Sequence, residues 1–137
     1  MKNDLDEWPL IRVYHRADIQ VRHVKDLMFL EARINYTWLH WSDGWRVLLP
    51  RTIKYLMKKL PPAYFLRLHR HFVVNRLFVD QPQTLSDTSN VYLTRGGIYL
   101  PVSRRRRSQI RHQLSEGIAT APIKMGAHLP RVGVKVV

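Results

Sequence analysis

Alternation of apolar and polar residues in the first half of the chain predicts an antiparallel β-meander. Ile19 and Val21 alternate with polar neighbours, as in a strand with one buried face. The LMFL of residues 27–30 is a continuous apolar run, typical of a strand buried on both faces. Ser-Asp-Gly at 42–44 predicts a hairpin turn after an aromatic-rich segment. The predicted strands cover residues 18–23, 27–30, 36–41 and 45–49, with a turn at 33–35.

After Pro50 the apolar spacing changes from that of a strand to that of a helix. A set of apolar residues separated by three and four positions lies on one helical face: Ile53, Leu56, Met57 and Leu60. Lysines occupy the opposite side, and the two prolines at 61–62 prevent the helix from continuing. We therefore predict a helix of about three turns packed on a sheet.

The segment from 65 to 80 is the richest in apolar residues and mixes the two periods. It predicts a strand, a short helical turn and a second strand, and we expect its core residues to be Phe65, Leu68, Phe72, Val73, Val74, Leu77, Phe78 and Val79. Residues 81–90 predict a polar loop. Residues 91–94 and 98–102 predict a final hairpin around a glycine-containing turn.

A short helix is predicted from about Ser103, with Ile110 and Leu114 on its inner face. The chain then divides into an irregular N-terminal leader or linker (1–17), one domain (18–116) and a basic, flexible C-terminal tail (117–137). The expected fold class is mainly β, with small antiparallel sheets and one or two short helices.

The charge of the chain favours a polyanionic partner. Lys and Arg number 23 against 10 Asp and Glu, a net charge of +13. Like charges repel in the folded state, so an excess of this size is typical of proteins that bind DNA, RNA or an anionic membrane surface. The chain has no cysteine, which excludes disulfides and thiolate metal sites. It also lacks a signal peptide and a long apolar run, so we expect a cytoplasmic protein without a membrane span.

Three basic segments are candidates for contacts with nucleic acid. Ser103, at the predicted helix start, is followed by four arginines (104–107), where the helix dipole favours a bound phosphate. A second set flanks the apolar residues at 72–74: Arg67, His69, Arg70, His71 and Arg76. In the third, the loop at 33–36, Arg and Asn side chains could bond bases in a bidentate manner. We predict a structural role for His69 and no metal site, since no third ligand accompanies the histidines.

Catalytic motifs are not evident in the sequence. It has no glycine-rich phosphate loop, nucleophile elbow or metalloprotease motif, and its acidic residues are scattered. Glu31, beside the apolar strand, is expected to be a buried carboxylate with a partner. We therefore predict a protein that is not an enzyme and needs no cofactor.

Three blocks of sequence together resemble the LytTR DNA-binding family. LMFLEARINYTWLHWSDG has an apolar strand, a Glu-Ala pair and an aromatic-containing turn. FLRLHRHFVVN is similar to the family's phenylalanine–arginine–apolar–histidine–arginine block that ends in asparagine, and GGIYLPVSRRR to its glycine turn, apolar strand and Ser-Arg ending. The resemblance covers about residues 18–114. Only about 17 residues precede it, so we expect a chain without a receiver domain, regulated by a partner, by its expression level or within a larger protein.

The resemblance implies an elongated arrangement of small antiparallel sheets that binds DNA through loops. It implies DNA contacts at Asn35 or Tyr36, at Arg70, and at Arg105 with Arg104 beside it, and a scaffold role for His69 and Asn75. With the neighbouring basic residues, the candidate DNA-contacting set is Arg33, Asn35, Tyr36, Arg67, Arg70, Ser103, Arg104, Arg105 and Arg106.

The expected partner is double-stranded DNA with repeated half-sites, bound by two copies of the chain as a bacterial transcription regulator; a regulatory protein partner is also compatible. An RNA-binding module is one alternative, in which Trp38, Trp41 and Trp45 stack on unpaired bases. A basic adaptor at a membrane surface is the other.

Overall fold

The computed structural model describes residues 10–15, 17–116 and 132–135. Its strands are β1 (Leu10–His15), β2 (Asp18–His23), β3 (Leu27–Arg33), β4 (Tyr36–Trp41), β5 (Arg46–Leu49), β6 (Phe65–His69), β7 (Phe72–Asn75), β8 (Asn90–Tyr92), β9 (Tyr99–Pro101) and β10 (Val132–Lys135). The α-helices are α1 (Ile53–Met57), α2 (Gln81–Ser86) and α3 (Arg107–Glu116). Short 3-10 helices cover Val24–Asp26, Arg76–Phe78 and Arg104–Arg106. The fold is mainly β with a few short helices, as predicted.

The strands form three small sheets. The central sheet has five antiparallel strands in the order β5-β4-β3-β7-β6. A second sheet has the order β10-β1-β2, with β1 parallel to β10 and antiparallel to β2. The third is the β8-β9 hairpin. The predicted meander is therefore confirmed for β3 to β5, as is the final hairpin, but β2 pairs with β1 in the second sheet instead of with β3.

The central sheet separates two hydrophobic cores. Leu30 and Val73 belong to the core that also contains Ile53 of α1, whereas Phe29 and Val74 belong to the core that contains Ile110 of α3. Successive side chains of a strand point to opposite faces. The continuous apolar run in β3 is therefore buried on both sides, as its sequence indicated.

The prediction of an irregular leader is wrong for residues 10–15, which form β1. Ile11 and Val13 are 1% and 0% exposed and belong to one of the cores. The basic tail was expected to be flexible, but residues 132–135 form β10 and pair with β1. The rest of the leader and tail predictions falls on residues 1–9, 16, 117–131, 136 and 137, which lie outside the described residues.

The predicted helix after Pro50 has the expected buried face but is shorter than expected. Its α-helical part spans five residues, after which Lys59 and Leu60 donate their backbone N–H groups to the carbonyls of Leu56 and Met57. These are the i to i+3 hydrogen bonds of a tighter turn. That turn delivers Leu60 to the core, where it is 6% exposed, just before the first proline.

The segment 81–90 was expected to be a polar loop, yet its first part is α2. The carboxylate of Asp80 accepts a hydrogen bond from the backbone N–H of Gln83, and Pro82 lies in the first turn. Both features stabilise a helix start. The prediction that Leu77 is a core residue is also wrong, because its side chain is 38% exposed.

Candidate nucleic-acid interface

The fold brings the three basic segments to one region of the molecule. The backbone N–H of Ala32, beside the β3–β4 turn, donates to the carbonyl of His71 in the β6–β7 turn over 2.7 Å. The backbone N–H of Ser103 donates to the carbonyl of Leu68 over 2.9 Å. We call this region, comprising residues 33–36, 54, 67–71 and 103–106, the basic end. All nine candidate residues from the sequence lie in it.

The β3–β4 turn presents its tip to solvent. Arg33 pairs with Tyr36 across the strands, so Ile34 and Asn35 form a two-residue connection. Ile34 is 97% exposed and Tyr36 is 42% exposed. The guanidinium of Arg33 lies 3.2 Å from the carboxylate of Glu31. This turn therefore offers an apolar tip beside amide, phenol and guanidinium groups.

Glu31 has the predicted partner, but its carboxylate is only partly buried, with 23% of the side chain exposed. Its second carboxylate oxygen lies 3.3 Å from Nε2 of His40, and the His40 ring stacks on Phe29 with the ring centroids 4.2 Å apart. Burial lowers the pKa of His40 more than the nearby carboxylate raises it. Glu31 thus contacts both His40 and Arg33 at the turn.

Hydrogen bonds from its own side chains fix the β6–β7 turn. Arg67 donates from Nε to the carbonyl of His69 and from Nη2 to the carbonyl of Arg70, each over 2.8 Å. The backbone N–H of His71 donates to Nδ1 of His69 over 3.1 Å. Arg70 itself is exposed. The predicted structural role of His69 is confirmed, and the turn presents Arg70 on a braced backbone.

Cationic groups from different segments act on one another in this region. Burial lowers the pKa of His69, and so does the positive charge of His71, Arg70, Arg67 and Arg106. Burial and the charge of Arg106 likewise lower the pKa of Arg67. These groups disfavour one another's charge, and a bound anion would relieve the repulsion. The electrostatics therefore fit a polyanionic ligand.

The Ser-Arg segment begins the last helical stretch. Ser103 is extended, at φ −62° and ψ 146°, and its carbonyl accepts a hydrogen bond from the N–H of Arg106. Its side chain makes no capping hydrogen bond, and in the described part of the chain its Oγ is buried without a partner. Arg104 and Arg105 are exposed. Ser103 thus positions the segment through its backbone, and the arginines carry the charge outward.

An open cleft of about 300 Å³ lies between the two turns. Arg33, Ile34 and Tyr36 line one side, Arg70 and His71 the other, and Lys54 of α1 also contributes. The sequence placed Lys54 on the solvent side of α1 but could not place it beside the turns, because that proximity depends on how α1 packs on the sheet.

Two predicted groupings do not form at the basic end. Arg76, at the other end of β7, donates to the carbonyl of Gln113 in α3. The three tryptophans make no common stacking platform, because Trp41 is 1% exposed and its indole N–H donates to the carbonyl of His23. Trp45 lies under the guanidinium of Arg22, 4.2 Å from its ring centroid. The RNA-stacking alternative loses its main support.

Asn75 is a buried scaffold residue, as expected. Its amide Nδ2 donates to the carbonyls of Lys25 and Leu27 over 3.1 Å and 2.9 Å, and its Oδ1 accepts from the N–H of Leu77 over 3.0 Å. It is 0% exposed. The end of β7 is thereby tied to the start of β3.

The described residues also bear on metal binding and on membrane crossing. Within residues 10–15, 17–116 and 132–135, no group of three or more His, Cys, Asp or Glu side chains could hold a metal ion. In the same part of the chain, no helix is long and apolar enough to cross a membrane.

Comparison with known proteins agrees with the fold and the motifs. A solved structure of 23% sequence identity is similar to this chain, with a TM-score of 0.63 over 77% of this chain and 96% of the other. It is described as the LytTr DNA-binding domain of a methyl-accepting/DNA response regulator from Bacillus cereus. No curated protein matches the chain significantly. The family model for the LytTr DNA-binding domain matches residues 18–115, and the chain therefore belongs to the LytTr DNA-binding domain family.

Proposed function

We propose that this protein binds double-stranded DNA at specific sequences in the bacterial cytoplasm and regulates transcription there. It reads major-groove base edges through the turns of the basic end. The observation that carries the proposal is that backbone hydrogen bonds hold the β3–β4 turn, the β6–β7 turn and the Ser-Arg segment together. The chain's membership of a DNA-binding domain family and its net charge of +13 also support DNA as the ligand.

The candidate residues divide into three roles. Arg70 and Arg105 are exposed, and a guanidinium can bond the O6 and N7 of guanine in a bidentate manner. The amide of Asn35 suits adenine in the same way. The candidates for phosphate contacts, which supply affinity without sequence preference, are Arg33, Tyr36, Arg104 and Arg106.

In this proposal Arg67 and Ser103 maintain the conformation of the basic end and do not contact DNA themselves. Arg67 already donates to two backbone carbonyls of its own turn, and the Oγ of Ser103 is buried. A domain of this size covers a short half-site, so two copies on repeated half-sites would supply useful specificity.

The test begins with selection of random duplex DNA by the purified protein at physiological salt. Enrichment of a motif, particularly one repeated about a helical turn apart, supports sequence-specific binding. Recovery of unselected sequences despite measurable affinity contradicts it. Binding to anionic vesicles at the same salt, without preference among DNA sequences, would favour the membrane adaptor.

Variants then separate base contacts from phosphate contacts. Arg70→Ala and Arg105→Ala are each expected to weaken binding to the selected site by ~1–3 kcal/mol and to relax preference at one base pair. Arg95→Ala is the matched control, because Arg95 is an exposed arginine in the β8–β9 turn, at the end of that hairpin remote from Ser103. A loss that disappears at high salt with preference unchanged would assign the variant residue to phosphate instead.

A further inference from the structure

Ile34 is the most exposed large apolar side chain in the described residues. It is 97% exposed, against 62% for Tyr99 and 54% for Val21. Ile34 and Asn35 are the two connecting residues of the β3–β4 turn. A side chain this exposed contributes almost nothing to either core, so packing does not account for an isoleucine here.

The turn conformation does not require isoleucine either. Among the described non-glycine residues, only Ala17 has a positive φ, so the backbone at Ile34 accepts most residue types. Polar residues with turn-forming side chains are the usual choice at such tips. The branched apolar side chain of Ile34 is therefore free to contact a ligand that binds at the basic end.

Its neighbours indicate what kind of ligand that is. Arg33, Tyr36, Lys54 and Arg70 line the same cleft as Ile34. An apolar protein surface is a poor match for an apolar tip surrounded by cations, because it would bury those charges unpaired. A DNA major groove satisfies both needs, because phosphates lie along its edges and its floor carries an apolar group, the 5-methyl of thymine.

We infer that Ile34 contacts the 5-methyl group of a thymine and so determines base preference at one position of the DNA site. This inference rests on the proposed function and adds an apolar contact to the polar ones of the neighbouring turns. Burying one methyl-sized group against Ile34 corresponds to about a fourfold change in affinity.

The experiment removes the methyl from the DNA and the side chain from the protein. In the selected duplex, each thymine of either strand is replaced in turn by deoxyuridine, which keeps its base pairing and lacks only the 5-methyl. At one position we expect the wild-type protein to bind the deoxyuridine duplex about fourfold more weakly. Ile34→Ala is expected to bind the two duplexes equally, since the group that senses the methyl is gone.

Ile19→Ala is the matched control, because Ile19 is 53% exposed and lies on β2 in another sheet. It should show the same deoxyuridine effect as the wild type. Thermal unfolding checks that both variants are folded, which the exposure of both residues leads us to expect.

The outcomes distinguish this inference from the proposed function. A selected site that contains no thymine, or in which no deoxyuridine replacement is coupled to Ile34, overturns the role of Ile34 and leaves sequence-specific binding intact. A deoxyuridine effect that persists in Ile34→Ala also overturns it. Failure to select any motif overturns both proposals together.

Discussion

Replacing Asn75 with alanine should destabilise the fold while leaving the DNA-binding turns untouched. The buried amide of Asn75 makes three hydrogen bonds, to the carbonyls of Lys25 and Leu27 and from the N–H of Leu77. Each such bond contributes a net ~0.5–1.5 kcal/mol, so their loss should lower the free energy of unfolding by about 3 kcal/mol.

Urea unfolding followed by tryptophan fluorescence measures this difference, with the slope of the transition checked for two-state behaviour. Asn35→Ala is the matched control, because Asn35 is exposed in the β3–β4 turn, and it should change the free energy of unfolding by no more than about 0.5 kcal/mol. The DNA assay should give the opposite ranking, with Asn35→Ala impaired and folded Asn75→Ala retaining its base preference. A loss of less than about 1 kcal/mol in Asn75→Ala, with an unchanged slope, would refute the reasoning.

Three further predictions concern the turns. Arg67→Lys should abolish preference between selected and scrambled duplexes and change the salt slope by less than about one unit, because lysine keeps the charge but cannot brace two carbonyls. The His71 N–H donates to Nδ1 of His69, which requires a neutral ring, and the pKa of that ring is lowered in the fold. Protonation of His69 therefore favours the unfolded state. The free energy of unfolding in urea should fall as the pH drops below about 6.5. Because its carboxylate accepts hydrogen bonds from Arg22 and from the Trp45 N–H, which lower the pKa of Asp43, Asp43→Asn should cause a small loss of stability at pH 7. That loss should diminish as the pH falls below 3.8, the ordinary pKa of the group, in the same assay.

Each of these predictions has a contrary result. Preference between selected and scrambled duplexes that survives in Arg67→Lys would refute the bracing role of Arg67. His69→Asn keeps a side-chain acceptor and cannot titrate, so an unchanged pH dependence in that variant would exclude His69 as the source. A loss in Asp43→Asn that is equal at both pH values would assign the effect to the turn backbone, where Asp43 also accepts from the N–H of Trp45.

Local patterns predicted those parts of the fold whose partners are close in sequence. The Ser-Asp-Gly turn and the alternation around it placed β4 and β5 correctly, because hairpin register follows from turn chemistry and from the pleat. The inner face of α3 was also correct, since Ile110 and Leu114 are each 1% exposed. The first two motif blocks located the basic end because each contains one of its turns, and the third did so because it ends in the Ser-Arg segment.

The failures have two physical causes. Ile11 and Val13 alternate like a strand, and this local signal was outweighed by the polar residues around it; β1 pairs with the adjacent β2 as well as with β10, more than 100 positions away. Polarity also misled the prediction for 81–90, where the capping Asp80 and the early Pro82 were the available signals of a helix. Lys54 lies at the basic end because α1 packs on the sheet, and a local sequence pattern cannot predict this tertiary contact.

The hydrogen bond between the Ala32 N–H and the His71 carbonyl joins two backbone atoms. No side chain takes part, so this hydrogen bond does not depend on the side chains at the exposed tips of the two turns. Side chains at the tips can therefore be exchanged while the frame that spaces them stays fixed. Libraries randomised at positions 34, 35 and 70 should yield domains with new base preferences. Natural substitutions at the same positions would change the target sequence without changing the frame.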